Sequence, residues 1–112
     1  MLARGNRITQ GADYRAVVRR GAKCTSPHLV AYVRRAADSS TVRFGFIVGK
    51  TVGIANRRNL VRRRLKALSL QLLPTVTPGT DVVIRALPGA AEVSWTTLQE
   101  ELFRAVGKVG TR

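Results

Sequence analysis

Two kinds of apolar spacing alternate along this chain. Tyr14, Val17 and Val18 recur at three and four residues ahead of Gly21, which predicts a helix from about Gln10 to Arg20, with Thr9 as N-cap and Asp13 in its first turns. After Pro27 the run His28–Arg35 (HLVAYVRR) reads as a strand, and Ala36–Ser40 (AADSS) as a turn. Val42 to Gly49 alternates, with Val42, Phe44, Phe46 and Val48 on one face and Arg43, Gly45, Ile47 and Gly49 on the other. The second face is nearly bare, so Gly45 and Gly49 invite close approach by a backbone or a ligand. Val52-Gly53 marks a turn, and the next helix runs from about Ile54 or Asn56 to Leu73, where Pro74 ends it. At about 100° per residue, Ile54, Val61, Leu65, Leu68 and Leu72 share a narrow arc and form a core stripe. Arg57 and Arg64 flank one edge of it and Arg58 and Arg62 the other, while Arg63 and Lys66 face away and Leu60 falls on the polar side. Asp81–Leu87 (DVVIRAL) is a near-continuous apolar run, which predicts a strand buried on both faces. Ser94 can cap a last helix from Trp95 to about Val106, with Leu98, Leu102, Phe103 and Val106 inward.

The predicted order is α-β-β-α-β-α. Two adjacent strands and a third reached through a helix make an α+β, single-domain α-β sandwich over residues 1–112, with one sheet and helices packed on it.

Charge changes the picture. Twenty Lys and Arg face six Asp and Glu, a net charge of +14, and all the cations except Lys23, Lys50, Lys66 and Lys108 are arginine. Arginine suits planar, multi-donor contact with phosphate. From Phe44 to Lys66 (FGFIVGKTVGIANRRNLVRRRLK) there is no acid at all. That much like charge on one segment calls for a polyanionic partner, RNA or DNA. No apolar run approaches the length of a spanning helix, and MLARGNRITQ lacks the apolar core of a signal peptide, so the expectation is a cytoplasmic protein without a membrane role.

Catalytic chemistry is poorly provided for. Asp13, Asp38, Asp81, Glu92, Glu100 and Glu101 are scattered rather than spaced to hold magnesium, and they read as surface groups, with Glu100 and Glu101 on an exposed helix face. Cys24 is the single cysteine and His28 the single histidine, which excludes a zinc cluster; Cys24 reads as a free structural thiol. Aromatics among basic residues can stack on unpaired bases; Phe44 and Phe46 read as core, while Tyr14 and Tyr32 stand open to either role. The residues describe a nucleic-acid binder with no catalytic or metal-binding residues of its own.

The segment GFIVGKTVGIANRRNLVRRRL resembles the signature of the protein subunit of bacterial ribonuclease P. In that family a strand ending in Lys leads to a Val/Ile-Gly pair, an Ala and an Arg-Asn-Arg motif on a basic helix. Lys50, Val52, Gly53, Ala55, Arg58 and Asn59 match, as do Arg62, Arg63 and Lys66 after them; Leu60 departs, standing where an Arg is usual, with Arg57 and Arg64 as basic neighbours. The opening LARGNRITQGADYRAVVRRG and the segments LVAYV and DVVIRALP extend the similarity over nearly the whole chain. The resemblance implies an α-β sandwich like the second domain of ribosomal protein S5, with a left-handed β-α-β crossover against the usual right-handed rule. It implies an accessory subunit of a ribozyme, in which the RNA subunit, with Mg2+, removes the 5′ leader of precursor tRNA, and no protein partner is required. By position, Lys50, Arg57, Arg58, Asn59, Arg62, Arg63 and Lys66 would bind the catalytic RNA. Asn6, Arg7, Tyr14, Val18, Tyr32 and Arg85 would hold the leader, Val18 often having an aromatic counterpart. The competing readings are a ribosomal or other structural RNA-binding protein and a protein-only nuclease.

Overall fold

The computed structural model describes residues 2–35 and 40–109. Its helices are α1 (Gly11–Arg20), α2 (Ala55–Leu72) and α3 (Trp95–Val109), and its strands are β1 (Ala22–Thr25), β2 (Leu29–Arg35), β3 (Arg43–Ile47) and β4 (Thr80–Ala86). The predicted elements are all present with ends moved by a few residues. The turn expected over residues 36–40 lies mostly outside the described residues. Among the described residues no helix is long and apolar enough to cross a membrane.

The sheet order is β1-β2-β4-β3. Two corrections to the sequence reading follow. First, β1 is an additional strand, antiparallel to β2. Its sequence AKCT is short, sits at the sheet edge and buries no residue fully, so it carries no periodicity to detect. Second, β2 and β3 are not neighbours: β4 lies between them, antiparallel to β2 and parallel to β3. The physical reason is the apolar run in β4. Val82, Val83 and Ile84 are all fully buried, which only a central strand covered on both faces can achieve.

Alternation along the strands then sorts the apolar side chains into two cores. Leu29, Ala31 and Val33 of β2, Phe44 of β3, and Val82, Ile84 and Ala86 of β4 meet the buried stripes of α2 (Val61, Leu65, Leu68, Leu72) and α3 (Leu98, Leu102, Ala105, Val106). Val30, Tyr32 and Val83 point the other way and meet Val17, with Tyr14, Val18, Ile47 and Leu87 around them. The sheet is thus covered by α2 and α3 on one face and by α1 on the other.

The helix ends show where local rules succeed. Ser94 Oγ accepts a hydrogen bond from the Thr97 N–H at 3.1 Å, as an N-cap should. Thr9 does not cap α1; that position falls to Gln10, with no side-chain bond. Ile54 is not in the core stripe but 68% exposed. It is the N-cap of α2, with extended backbone, so the helical 100° advance does not apply to it. Leu60 is half-buried.

Asp81 and Glu101, expected at the surface, are each only 6% exposed. Asp81 takes a two-pronged bond from Arg43, Nε to Oδ1 at 2.9 Å and Nη2 to Oδ2 at 2.7 Å, and Asp13 of α1 adds a longer contact to Arg43 Nη1 at 3.3 Å. Hydrogen bonding to the Asp81 carboxylate holds the Arg43 guanidinium charged well above its ordinary range, against a smaller opposing effect of burial. Glu101 of α3 accepts the His28 backbone N–H at 2.8 Å and lies 2.6 Å from its Nδ1, tying the start of β2 to α3. Single sequence positions reveal neither acid's partner, because both partners are distant in the chain.

The bare face of β3 is filled by Tyr14. A Cβ at Gly45 would sit 2.5 Å from Tyr14 Cε1, and the Tyr14 hydroxyl accepts the Phe46 N–H at 3.1 Å. Gly45→Ala is therefore expected to displace the Tyr14 ring and lower the unfolding free energy by about 1–2 kcal/mol, measurable by urea titration followed by circular dichroism. In the same assay Asp81→Ala should cost about 2 kcal/mol or more, since it leaves Arg43 half-buried and unpaired on that side, whereas Asp13→Ala, removing the more exposed partner, should cost under about 1 kcal/mol.

Candidate RNA-binding surface

β3 is an edge strand, and its outward groups are taken up one after another. Phe44 accepts the Ile8 N–H at 2.8 Å, as the N-terminal segment makes a parallel bridge from Arg7 to Phe44. Phe46 donates to Tyr14. Val48 accepts from Arg62 Nη2 at 3.3 Å. Asn6 fastens the N-terminal segment, its side-chain amide donating to the Val42 carbonyl at 2.8 Å. The N-terminal segment and α2 therefore stand on either side of the strand edge, with a cleft of about 280 Å³ between them. Phe46 and Tyr14 form its aromatic surface, with the fully buried Phe44 behind them, and Arg7, Arg62 and Lys66 its cationic one. Arg62 and Lys66 also border an open concavity on α2 with Asn56, Asn59 and Arg63, so the two hollows adjoin at these side chains.

The turn before α2 sets the direction of that helix. Gly53 has φ +146°, a conformation that L side chains rarely adopt, and it lets the chain leave the Lys50–Val52 turn and enter α2 directly. The buried stripe then fixes the rotation of α2, and the rotation separates its arginines into two groups. Arg62 faces the cleft, bracing Asn59 Oδ1 through Nη1 at 3.2 Å. Arg57 and Arg64 point the other way. Arg57 pairs with Glu92 at 3.2 Å, and Arg64 donates to the Val93 carbonyl at 3.0 Å, so both hold the loop between β4 and α3. Arg58 is half-buried, and its Nε has no hydrogen-bond partner among the described residues. Arg63 and Lys50 are exposed.

The residues expected to hold an RNA leader are not all gathered in one hollow. Arg7 and Tyr14 line the cleft, with Asn6 anchoring beneath. Val18 and Arg85 lie beyond Tyr14, in a second, smaller hollow between α1 and the ends of β3 and β4, together with Arg15, Arg19 and Ile47. Tyr32 lines neither: it is 6% exposed, and the Arg85 guanidinium carbon sits 5.7 Å from its ring centroid. Sequence reasoning missed Thr9, Arg15, Arg19 and Asn56 as lining residues. Arg15 and Arg19 had a usable signal, since each follows an inward residue of α1 (Tyr14, Val18) by one position. Thr9 and Asn56 had none, being polar residues beside elements whose packing decides their place. Phe46, assigned to the core, is both core and cleft wall, with Phe44 buried behind it. Among the described residues no three His, Cys, Asp or Glu side chains come together in a way that could hold a metal ion.

Comparison with known proteins gives this surface a family. The model of the family described as Ribonuclease P matches residues 2–110. The chain is 56% identical to the ribonuclease P protein component of Clavibacter michiganensis over 106 residues, covering 95% of this chain and 94% of that protein. It is 43% identical to the corresponding protein of Rhodococcus opacus over 108 residues, covering 91% and 86%. Among solved structures, the RNase P protein of Staphylococcus aureus superposes with a TM-score of 0.84 at 20% identity, over 92% of this chain and 94% of that one. That of Thermotoga maritima does so with a TM-score of 0.80 at 20% identity, over 92% and 96%. The two structures establish a shared fold. With a family match over residues 2–110 and a relative 56% identical over 95% of its length, the chain belongs to the ribonuclease P protein family.

Proposed function

We propose that this chain binds the catalytic RNA of ribonuclease P through the outward and cleft-facing surface of α2, and the single-stranded 5′ leader of precursor tRNA through the cleft beside it. The observation that carries this reading is that an acid-free cationic surface (Arg62, Arg63, Lys66) adjoins a cleft walled by Phe46 and Tyr14, sharing Arg62 and Lys66 with it. Cations hold phosphates irrespective of sequence, and aromatic faces take unpaired bases, so the pairing of the two suits a single strand better than a duplex. On this reading the protein contributes position and charge neutralisation. The hydrolysis and its Mg2+ belong to the RNA subunit, in the cytoplasm, and no residue of this chain takes part in the chemical step.

The deciding experiment is reconstitution of 5′ maturation with precursor tRNA and the cognate RNA subunit at low magnesium, with and without the protein. Stimulation is expected; a protein that bound RNA yet left maturation unchanged would be a structural RNA binder, and cleavage without the RNA subunit would make it a nuclease in its own right.

Two further outcomes follow from the helix rotation. Reversing charge at Arg58 and Arg62 together should weaken RNA-subunit binding by about tenfold or more and flatten its salt dependence. Arg57→Glu should do less, because Arg57 is turned toward Glu92; filter binding across a salt series separates the two. Tyr14→Ala should reduce affinity for precursor tRNA by about fivefold or more while leaving mature tRNA affinity unchanged, the difference being the leader.

A further inference from the structure

Among the described residues the exposed large apolar side chains are Ile54 and Leu70. Both belong to the helix that carries the cationic face: Ile54 is the N-cap of α2, and Leu70 lies in its last turn. A single exposed leucine is ordinary on a protein surface. Leu70, however, is set in a hollow of about 400 Å³, lined with it by Arg63, Lys66, Ala67 and Gln71. At about 100° per residue these five lie on the side of α2 away from the buried Val61, Leu65, Leu68 and Leu72. Ala67 stands between Arg63 and Gln71 on one helical row, and its short side chain leaves the floor of the hollow open. Gln71 closes one end, its side-chain carbonyl accepting from Gln99 Nε2 of α3 at 3.0 Å. No acid lines the hollow.

Charge and position identify what would cover it. Arg63 and Lys66 also line the concavity of Asn56, Asn59 and Arg62, so the apolar hollow adjoins the cationic surface at these two side chains. From Asn56 to Leu70 the outer face of α2 runs for about 20 Å, from polar and cationic to apolar, without an acid. A second copy of this chain fits poorly. A two-fold contact here would bring the Arg63 and Lys66 of both copies together with no acid between them. Leu70 and Ala67 also offer far less than the roughly 800 Å² per partner that a stable protein interface buries. An unpaired nucleotide fits well, because its base has a flat apolar face and its phosphates suit the two cations beside it.

We infer that residues 63–71 of α2 form a base-docking site for the catalytic RNA, in which one unpaired nucleobase packs on Leu70 and Ala67 while Arg63 and Lys66 hold the phosphates next to it. The inference rests on the proposed binding of that RNA by α2 and adds to it a contact that is apolar rather than electrostatic.

The test is filter binding of the cognate RNA subunit across a salt series, together with base-selective chemical probing of the bound RNA. Leu70→Gln keeps a good helix former and loses the apolar contact. It should weaken RNA-subunit affinity by about threefold or more, and by the same factor at every salt concentration. Leu70→Met should bind as wild type does, and Arg63→Gln should instead reduce the salt slope by about one phosphate contact. One unpaired base protected by the wild-type protein should become reactive with Leu70→Gln. Removing that base from the RNA should cost the wild-type protein the same factor and Leu70→Gln nothing further. If Leu70→Gln bound the RNA subunit as wild type while charge reversal at Arg58 and Arg62 weakened it, the docking site would be overturned and the proposed function would stand. A loss confined to precursor tRNA would also overturn the site. So would a wild-type dimer in sedimentation that Leu70→Gln dissociates, which would give the hollow to a second copy. A wild-type protein with no affinity for the RNA subunit would instead sink the proposed function itself.

Discussion

A strand with two apolar faces is the constraint on which the structure depends. Val82, Val83 and Ile84 of β4 are fully buried, so both faces of the sheet must be roofed by apolar side chains. In a chain of net charge +14, that requirement leaves little room for cations except on outer helix faces, strand ends and the sheet rim. The basic surface is a consequence of the same packing that makes the core. Arg43, at the start of β3, shows the limit of the rule: a guanidinium partly withdrawn from water is held by the two-pronged bond to Asp81 and a longer one to Asp13.

The edge of β3 is where packing turns into a binding surface. An unpaired strand edge would offer free backbone groups to any other chain. Here the N-terminal segment, Tyr14 and Arg62 each occupy one of those groups, and in doing so they form the two sides of a cleft. Tyr14 joins the pieces: it fills the notch left by Gly45, closes the strand edge through its hydroxyl, and divides the main cleft from the smaller hollow beyond. The side chains that protect the edge are thus the ones that shape the site.

The arginines of α2 illustrate how much a helical repeat conveys and where it stops. Their placement on either side of the buried stripe was legible from the 100° advance, and Val61, Leu65, Leu68 and Leu72 are buried as it requires. The use of each edge was not. Arg57 and Arg64 are engaged by Glu92 and the Val93 carbonyl, on a loop some thirty residues away, while Arg62 faces the cleft. Ile54 shows the same limit at the helix start, where the periodicity assumed a helical residue and the chain has an extended N-cap.

By itself the sequence determined the order of every helix and strand except the edge strand β1, the buried faces of the three helices, the two-sided burial of β4 and the cationic character of α2, because these depend on spacing and composition within one segment. Family membership was also legible, since the Gly53–Ala55–Arg58–Asn59 arrangement is local. Only the tertiary structure decided that β4 separates β2 from β3, that AKCT adds an edge strand, that Asp81 and Glu101 are buried partners, and that Tyr32 lies under Arg85. Each of those depends on which distant segment is brought alongside, a choice made by the whole sheet closing its apolar faces at once, to which no single stretch of residues carries the answer.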